Sequence, residues 1–94
     1  MSDQSISGDA TPRLLRGVRL KYDAIRENWV LLAPERILKP DLIALEILKR
    51  CDGKSSLNTI IEELAQQFSC ERDMISTDVV EFLLDLRKKR VLEL

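Results

Sequence analysis

From Gly17 onward apolar and charged residues alternate: Val18, Leu20 and Tyr22 fall on one side, Arg19 and Lys21 on the other. That period of two predicts a half-buried strand. A turn-like stretch, Asp23 to Asn28, leads into Trp29-Val30-Leu31-Leu32-Ala33, a short and nearly continuous apolar run. Such a run suits a strand covered on both faces, so the two segments predict an antiparallel hairpin. Pro34 and Pro40 then bracket Glu35 to Lys39. Proline donates no ladder hydrogen bond and disfavours helical geometry in the residue before it, so this third strand is expected at a sheet edge.

Past Pro40 the period becomes helical. Asp41 stands in the first turn, Ala44, Leu45, Leu48 and Cys51 share a side, and Gly53 is placed to end the helix. Ser55 or Ser56 can cap a second helix, on which Leu57, Ile60, Ile61, Leu64, Ala65 and Phe68 form one unbroken apolar stripe facing a core. A tight connection, Ser69 to Asp73, enters a last helix on which Ile75, Val79, Phe82, Leu83 and Leu86 share a face and Val80 and Leu84 widen it. Acids near its start and Arg87-Lys88-Lys89-Arg90 at its end complement the helix dipole, so the basic cluster needs no ligand to explain it. Three strands followed by three helices describe a winged-helix-turn-helix-like α+β domain over residues 13–94.

Residues 1–12 carry little apolar material apart from Ile6, and are expected to be a disordered tail or linker. The chain of 94 residues has room for one core. With 45% apolar residues and only four aromatics, Leu, Ile and Val must fill it. A formal net charge of −1 gives no global attraction to nucleic acid or anionic membrane. No apolar run approaches the ~20 residues that span a bilayer and no signal-peptide pattern opens the chain, so a cytoplasmic protein is expected.

The chain has no histidine, which removes the usual general base. Glu46, Glu62, Glu63, Asp78 and Glu81 fall on exposed helical faces, where solvation keeps a carboxylate ordinary. Cys51 and Cys70 are far apart and have no partner ligands, so neither zinc nor iron–sulfur binding is expected, and both thiols are read as reduced. Nucleotide-cradling glycine motifs are missing. These residues point to a binding protein without catalysis, metal or cofactor.

A helix-turn-helix beside strands raises the alternative of a DNA-binding regulator with the last helix in the major groove. The outer face of that helix carries Arg72, Asp73, Ser76, Thr77, Asp78, Glu81 and Asp85, four acids against one base. Such a face is repelled by a phosphate-lined groove. A strand edge beside a wide apolar helix makes a groove that an extended peptide can fill by adding a strand, one option beside oligomer contacts and partner docking.

Arg16-Gly17-Val18-Arg19-Leu20-Lys21-Tyr22-Asp23 and Trp29-Val30-Leu31-Leu32-Ala33-Pro34-Glu35-Arg36 resemble the two N-terminal signatures of the PqqD family, the peptide chaperones of pyrroloquinoline quinone biosynthesis. Ala44-Leu45-Glu46-Ile47-Leu48, Cys51-Asp52-Gly53, Ile60 to Phe68 and Asp78-Val79 with Phe82-Leu83 are similar to its helical segments, in the same order and spacing. The resemblance implies the fold of a RiPP recognition element, which binds the leader of a ribosomally made precursor peptide. It further implies binding of the precursor PqqA by strand addition and its presentation to the radical S-adenosylmethionine enzyme PqqE, which cross-links a Glu and a Tyr of the peptide and carries the iron–sulfur cluster. Pyrroloquinoline quinone itself has no evident site. Carried over from the family, the peptide-binding residues are Glu35, Arg36, Ile37, Leu38 and Lys39 on the edge strand and Ile75, Val79, Val80, Phe82, Leu83 and Leu86 on the last helix, some of which must face the core. Trp29, mid-strand in an apolar run, is read as an anchor of the sheet.

Overall fold

In the computed structural model, residues 6–94 are described. The alternation from Val18 becomes β2 (Arg19–Asp23), after a two-residue strand β1 (Arg13–Leu14) that no periodicity signals. Asp23 turns the chain: its carboxylate accepts the N–H groups of Ile25 at 3.0 Å and Arg26 at 3.2 Å, a local side-chain turn. The apolar run forms β3 (Asn28–Ala33), and β4 (Arg36–Leu38) follows after only Pro34 and Glu35. The sheet order is β2-β3-β4, all antiparallel, which leaves β4 at an edge. It is shorter at each end than the segment between the prolines.

Register sorts the side chains. Leu20, Leu31 and Leu38 stand opposite one another in one row across the sheet, on the face that packs into the core. Trp29 faces Tyr22 in the neighbouring pair, with the rings edge to face at 5.5 Å and Lys49 Nζ 5.2 Å from the indole. The indole therefore anchors sheet to helix, through ring contact and cation–π attraction.

Helix α1 (Leu42–Lys49) begins where Asp41 accepts the Ala44 N–H at 2.8 Å. It stops at Arg50, earlier than the glycine suggested. Gly53, at φ +78°, belongs to the turn after Asp52 and donates its N–H to the Pro12 carbonyl at 3.0 Å. Ser56 caps α2 (Leu57–Gln67) by accepting from Thr59 N–H. Helix α3 (Arg72–Lys88) packs on α2, burying Ile60, Leu64, Val79 and Leu83 with no exposed surface. Each such aliphatic side chain contributes about 1.5–3 kcal/mol through removal from water. The described helices include none long and apolar enough to cross a membrane.

Two features depart from the sequence reading. Arg90, at φ +62°, reverses the chain after α3 into β5 (Leu92–Glu93), which pairs antiparallel with β1. The Arg13–Glu93 ion pair flanks that ladder, and Val91 and Leu92 are buried. The second departure concerns the expected tail. Its first five residues lie outside the described residues, but 6–12 lie against α2: Gly8 and Ala10 carbonyls accept from Asn58 and Leu57 N–H at 3.0 and 2.8 Å, Ile6 packs on the core and Pro12 is fully buried. The physical reason is the unpaired N–H groups of a helix's first turn, for which this segment supplies backbone acceptors.

Candidate functional site

Because the β3–β4 loop holds two residues, Ala33 and Arg36 form its closing pair. In a hairpin of this length the closing pair exchanges the ladder hydrogen bonds, and residues alternate thereafter. The N–H of Arg36 thus points inward to β3, and the N–H and C=O of Ile37 point to the open edge. Among the described residues no strand pairs with that edge.

Beside the edge runs an open cleft of about 240 Å³ between β4, the start of α1 and the last turns of α3. Leu31, Ala44 and Leu48 form its floor, and Leu38, Phe82 and Leu86 its walls. Of the charges at its rim, Lys39 is exposed and in no ion pair among the described residues, and the others are engaged. Lys89 lies 2.9 Å from Asp85, and Asp41 is engaged as the α1 cap. The cleft therefore offers an apolar slot next to unpaired backbone groups, an arrangement that takes an extended peptide with alternating apolar side chains.

The sequence-predicted residues divide into three sets. Leu38, Lys39, Phe82 and Leu86 line the cleft. Glu35, Arg36 and Ile37 are exposed along the edge, Ile37 retaining 65% of its surface. Ile75, Val79 and Leu83 are core residues, at most 2% exposed, and Val80 packs half-buried against the core without lining the cleft. Periodicity alone mixes these sets, because Val80 and Leu84 widen the apolar arc of α3 and its core-facing and cleft-facing residues are neighbours on one face. Sequence reasoning missed the contribution of α1. Its signal was present in Pro40-Asp41, which stops β4 and caps α1 in consecutive residues and so brings Ala44 and Leu48 beneath the edge strand.

Chemically the surroundings are quiet. The Arg50 guanidinium holds Glu46 at 3.0 Å, Glu63 at 2.8 Å and Gln67 at 2.9 Å, which ties α1 to α2. Hydrogen bonding from Arg50 holds the Glu46 carboxyl below its ordinary value. Burial, with Asp52 adjacent, pushes the Cys51 thiol up to about 12, while Cys70 is exposed. No group of three or more Cys, Asp or Glu placed to hold a metal occurs among the described residues.

The family profile described as Coenzyme PQQ synthesis protein D (PqqD) matches residues 28–92, which include β3, β4 and all three helices. The chain belongs to the PqqD family. Among its relatives, the PqqA binding protein of Xanthomonas oryzae pv. oryzae is 48% identical over 90 residues, covering 96% of this chain and 98% of its own. That of Rhodopseudomonas palustris is 47% identical over 85 residues, covering 90% and 83%. Two solved PqqD structures share the architecture. The solution structure of the PqqD truncation of Methylobacterium extorquens PqqCD, described as a functional, stand-alone RiPP recognition element, superposes with a TM-score of 0.80 at 40% identity and covers both chains fully. The crystal structure of PqqD from Xanthomonas campestris gives 0.60 at 47% identity, covering 96% of this chain and 100% of its own. The PqqD fold of a three-stranded antiparallel sheet followed by three helices is thus the fold of this chain, in which the β1–β5 ladder is a second, two-stranded sheet.

Proposed function

We propose that this chain binds the ribosomal precursor PqqA as a strand added to β4 and presents it to the radical S-adenosylmethionine enzyme PqqE, as a cytoplasmic, non-catalytic peptide chaperone. The observation that carries this reading is the coincidence of an open strand edge with an apolar cleft in a family whose relatives are named for binding PqqA. The peptide-binding unit is residues 13–94.

Two kinds of contact hold the peptide. Ile37, at the centre of the edge, supplies an N–H donor and a C=O acceptor, and Lys39 continues the pattern where the strand ends. Each ladder bond contributes ~1 kcal/mol net. Peptide side chains on the cleft side drop between Leu38, Phe82 and Leu86, and ordering the peptide offsets ~2–5 kcal/mol of that gain. The balance corresponds to an affinity of about 0.1–10 μM, from which a chaperone still releases its cargo. Val79, Ile75 and Leu83 act from behind by holding α3 in place, and Val80 packs half-buried against the same core.

The domain contributes no acid, base or metal to the chemistry, which belongs to the partner. The four acids on α3, Asp73, Asp78, Glu81 and Asp85, are all exposed and disfavour the DNA-binding alternative. Calorimetric titration of the domain with synthetic PqqA tests the reading: saturable one-to-one binding in the micromolar range supports it. No heat and no competition at peptide concentrations ~100-fold higher would dismiss it.

A further inference from the structure

The alternation that sends Leu20, Leu31 and Leu38 into the core sends Arg19, Leu32 and Ile37 into one row on the opposite face, with Lys21 beside Val30 in the next row. None of Val30, Leu32 and Ile37 belongs to the core cluster or packs against it. Val30 is screened to 7% exposure within its sheet, yet Ile37 stays largely in water. The face is therefore apolar through Val30, Leu32 and Ile37, and the domain leaves it open toward the β4 edge, where Leu32 is half-buried and Ile37 exposed.

Its charge is one-sided. Arg19 and Lys21 are exposed, and neither appears in an ion pair among the described residues. Asp23 is the acid of the same face, and it is committed to its own turn through Ile25 and Arg26. A surface with an apolar centre and free cations at its border complements a protein patch with an apolar centre and acids around it.

Strand addition makes this face larger. A peptide paired with β4 places half of its side chains in the cleft and the other half on the outer face, directly beside Ile37. We infer that the outer face of the sheet, centred on Leu32 and Ile37 and bordered by Arg19 and Lys21, is the docking surface for the peptide-modifying enzyme, which meets it through an acidic, apolar-centred patch and reads domain and bound peptide as one continuous surface. The inference rests on the strand-addition reading. Such a surface would let an enzyme distinguish a loaded domain from an empty one without touching the cleft.

Two variants separate this claim from peptide binding. Arg19→Glu with Lys21→Glu reverses charge on β2, across the sheet from the edge, and Leu32→Gln removes an apolar side chain at the centre of the same outer face, on β3 and off the peptide-binding edge. Peptide affinity is read by fluorescence anisotropy of labelled PqqA, and association with immobilised PqqE by interferometry, with and without peptide, at ~50 and ~300 mM salt. Both variants are expected to hold peptide within about threefold and to lose at least about tenfold in enzyme association, with the charge-reversed form also losing the salt dependence. Enzyme association that survives both variants while peptide binding is intact overturns the assignment. So does light scattering showing a dimer that the charge reversal converts to monomers, since the face would then belong to a second copy. Should Leu32→Gln fail to fold, the β2 variant still decides the docking face.

Discussion

Ala33 and Arg36 face each other across the two-residue turn Pro34-Glu35, and this pairing decides which backbone groups of β4 are free. Arg36 is bonded inward and Ile37 outward, by the alternation of an antiparallel ladder. Proline substitution therefore has opposite consequences at adjacent positions. Ile37→Pro removes a donor that the free domain does not use, so circular dichroism and melting temperature stay near those of the parent while PqqA affinity falls at least about tenfold. Arg36→Pro removes a ladder bond and lowers stability by about 1–3 kcal/mol, seen as a reduced urea midpoint.

The burial of α3 separates wall from core. Phe82→Ala opens the cleft and is expected to weaken peptide binding about tenfold with a modest loss of stability. Leu83→Ala, one residue on, leaves a cavity in the core and costs about 2–5 kcal/mol. Val79→Asp places a carboxylate where no surface is exposed, and chemical denaturation should find it largely unfolded. If Phe82→Ala and Leu83→Ala had the same effect on binding at equal folded fraction, the division of α3 drawn from burial would be incorrect.

Three strands, three helices and their order were legible in the pattern of apolar residues because each long element repeats its period several times. The β1–β5 ladder was not, since strands of two residues carry no period. Residues 6–12 escaped for a different reason. They are held by their own carbonyls, Gly8 and Ala10 on the first turn of α2, and backbone bonds leave no mark on side-chain chemistry. The edge strand was readable from its two prolines, whereas the parity of Arg36 and Ile37 required the register. On α3 the sequence named the right helix but could not separate Phe82, half-buried on the cleft, from Ile75, Val79 and Leu83 in the core, or show that Leu86, as buried as they are, also reaches the cleft.

That N-terminal segment supplies its own test. Removing residues 1–12 strips acceptors from the Leu57, Asn58 and Gly53 N–H groups and uncovers the site of Pro12. The truncated domain should melt lower, by about 1–3 kcal/mol of stability, with the peptide site unchanged.

Stability should also fall in acid through Glu46. Its carboxyl titrates below the ordinary value because Arg50 holds the ionised form, so its contribution is complete above the unfolded value and disappears as pH drops through the folded one. Arg50→Met should lose about 1–2 kcal/mol at pH 7, and the gap to the parent should narrow as the medium is acidified below pH ~4, leaving the share carried by the Gln67 amide and the Glu46 carbonyl. The cysteines give a parallel contrast. At pH 8 iodoacetamide should modify Cys70 and spare Cys51, whose thiol is buried and pushed up to about 12, as intact mass would show by a single adduct.

The central claim is that precursor joins the sheet at β4, and the most direct measurement is an amide titration of the isotopically labelled domain with PqqA by NMR. The largest shifts should fall on Arg36 to Lys39 and on Phe82 to Lys89, and the Ile37 amide should move downfield and become protected from solvent exchange as its N–H acquires an acceptor. Shifts gathered on the α2 face around Asn58 to Gln66, with the Ile37 amide exchanging as fast as in the free domain, would contradict it.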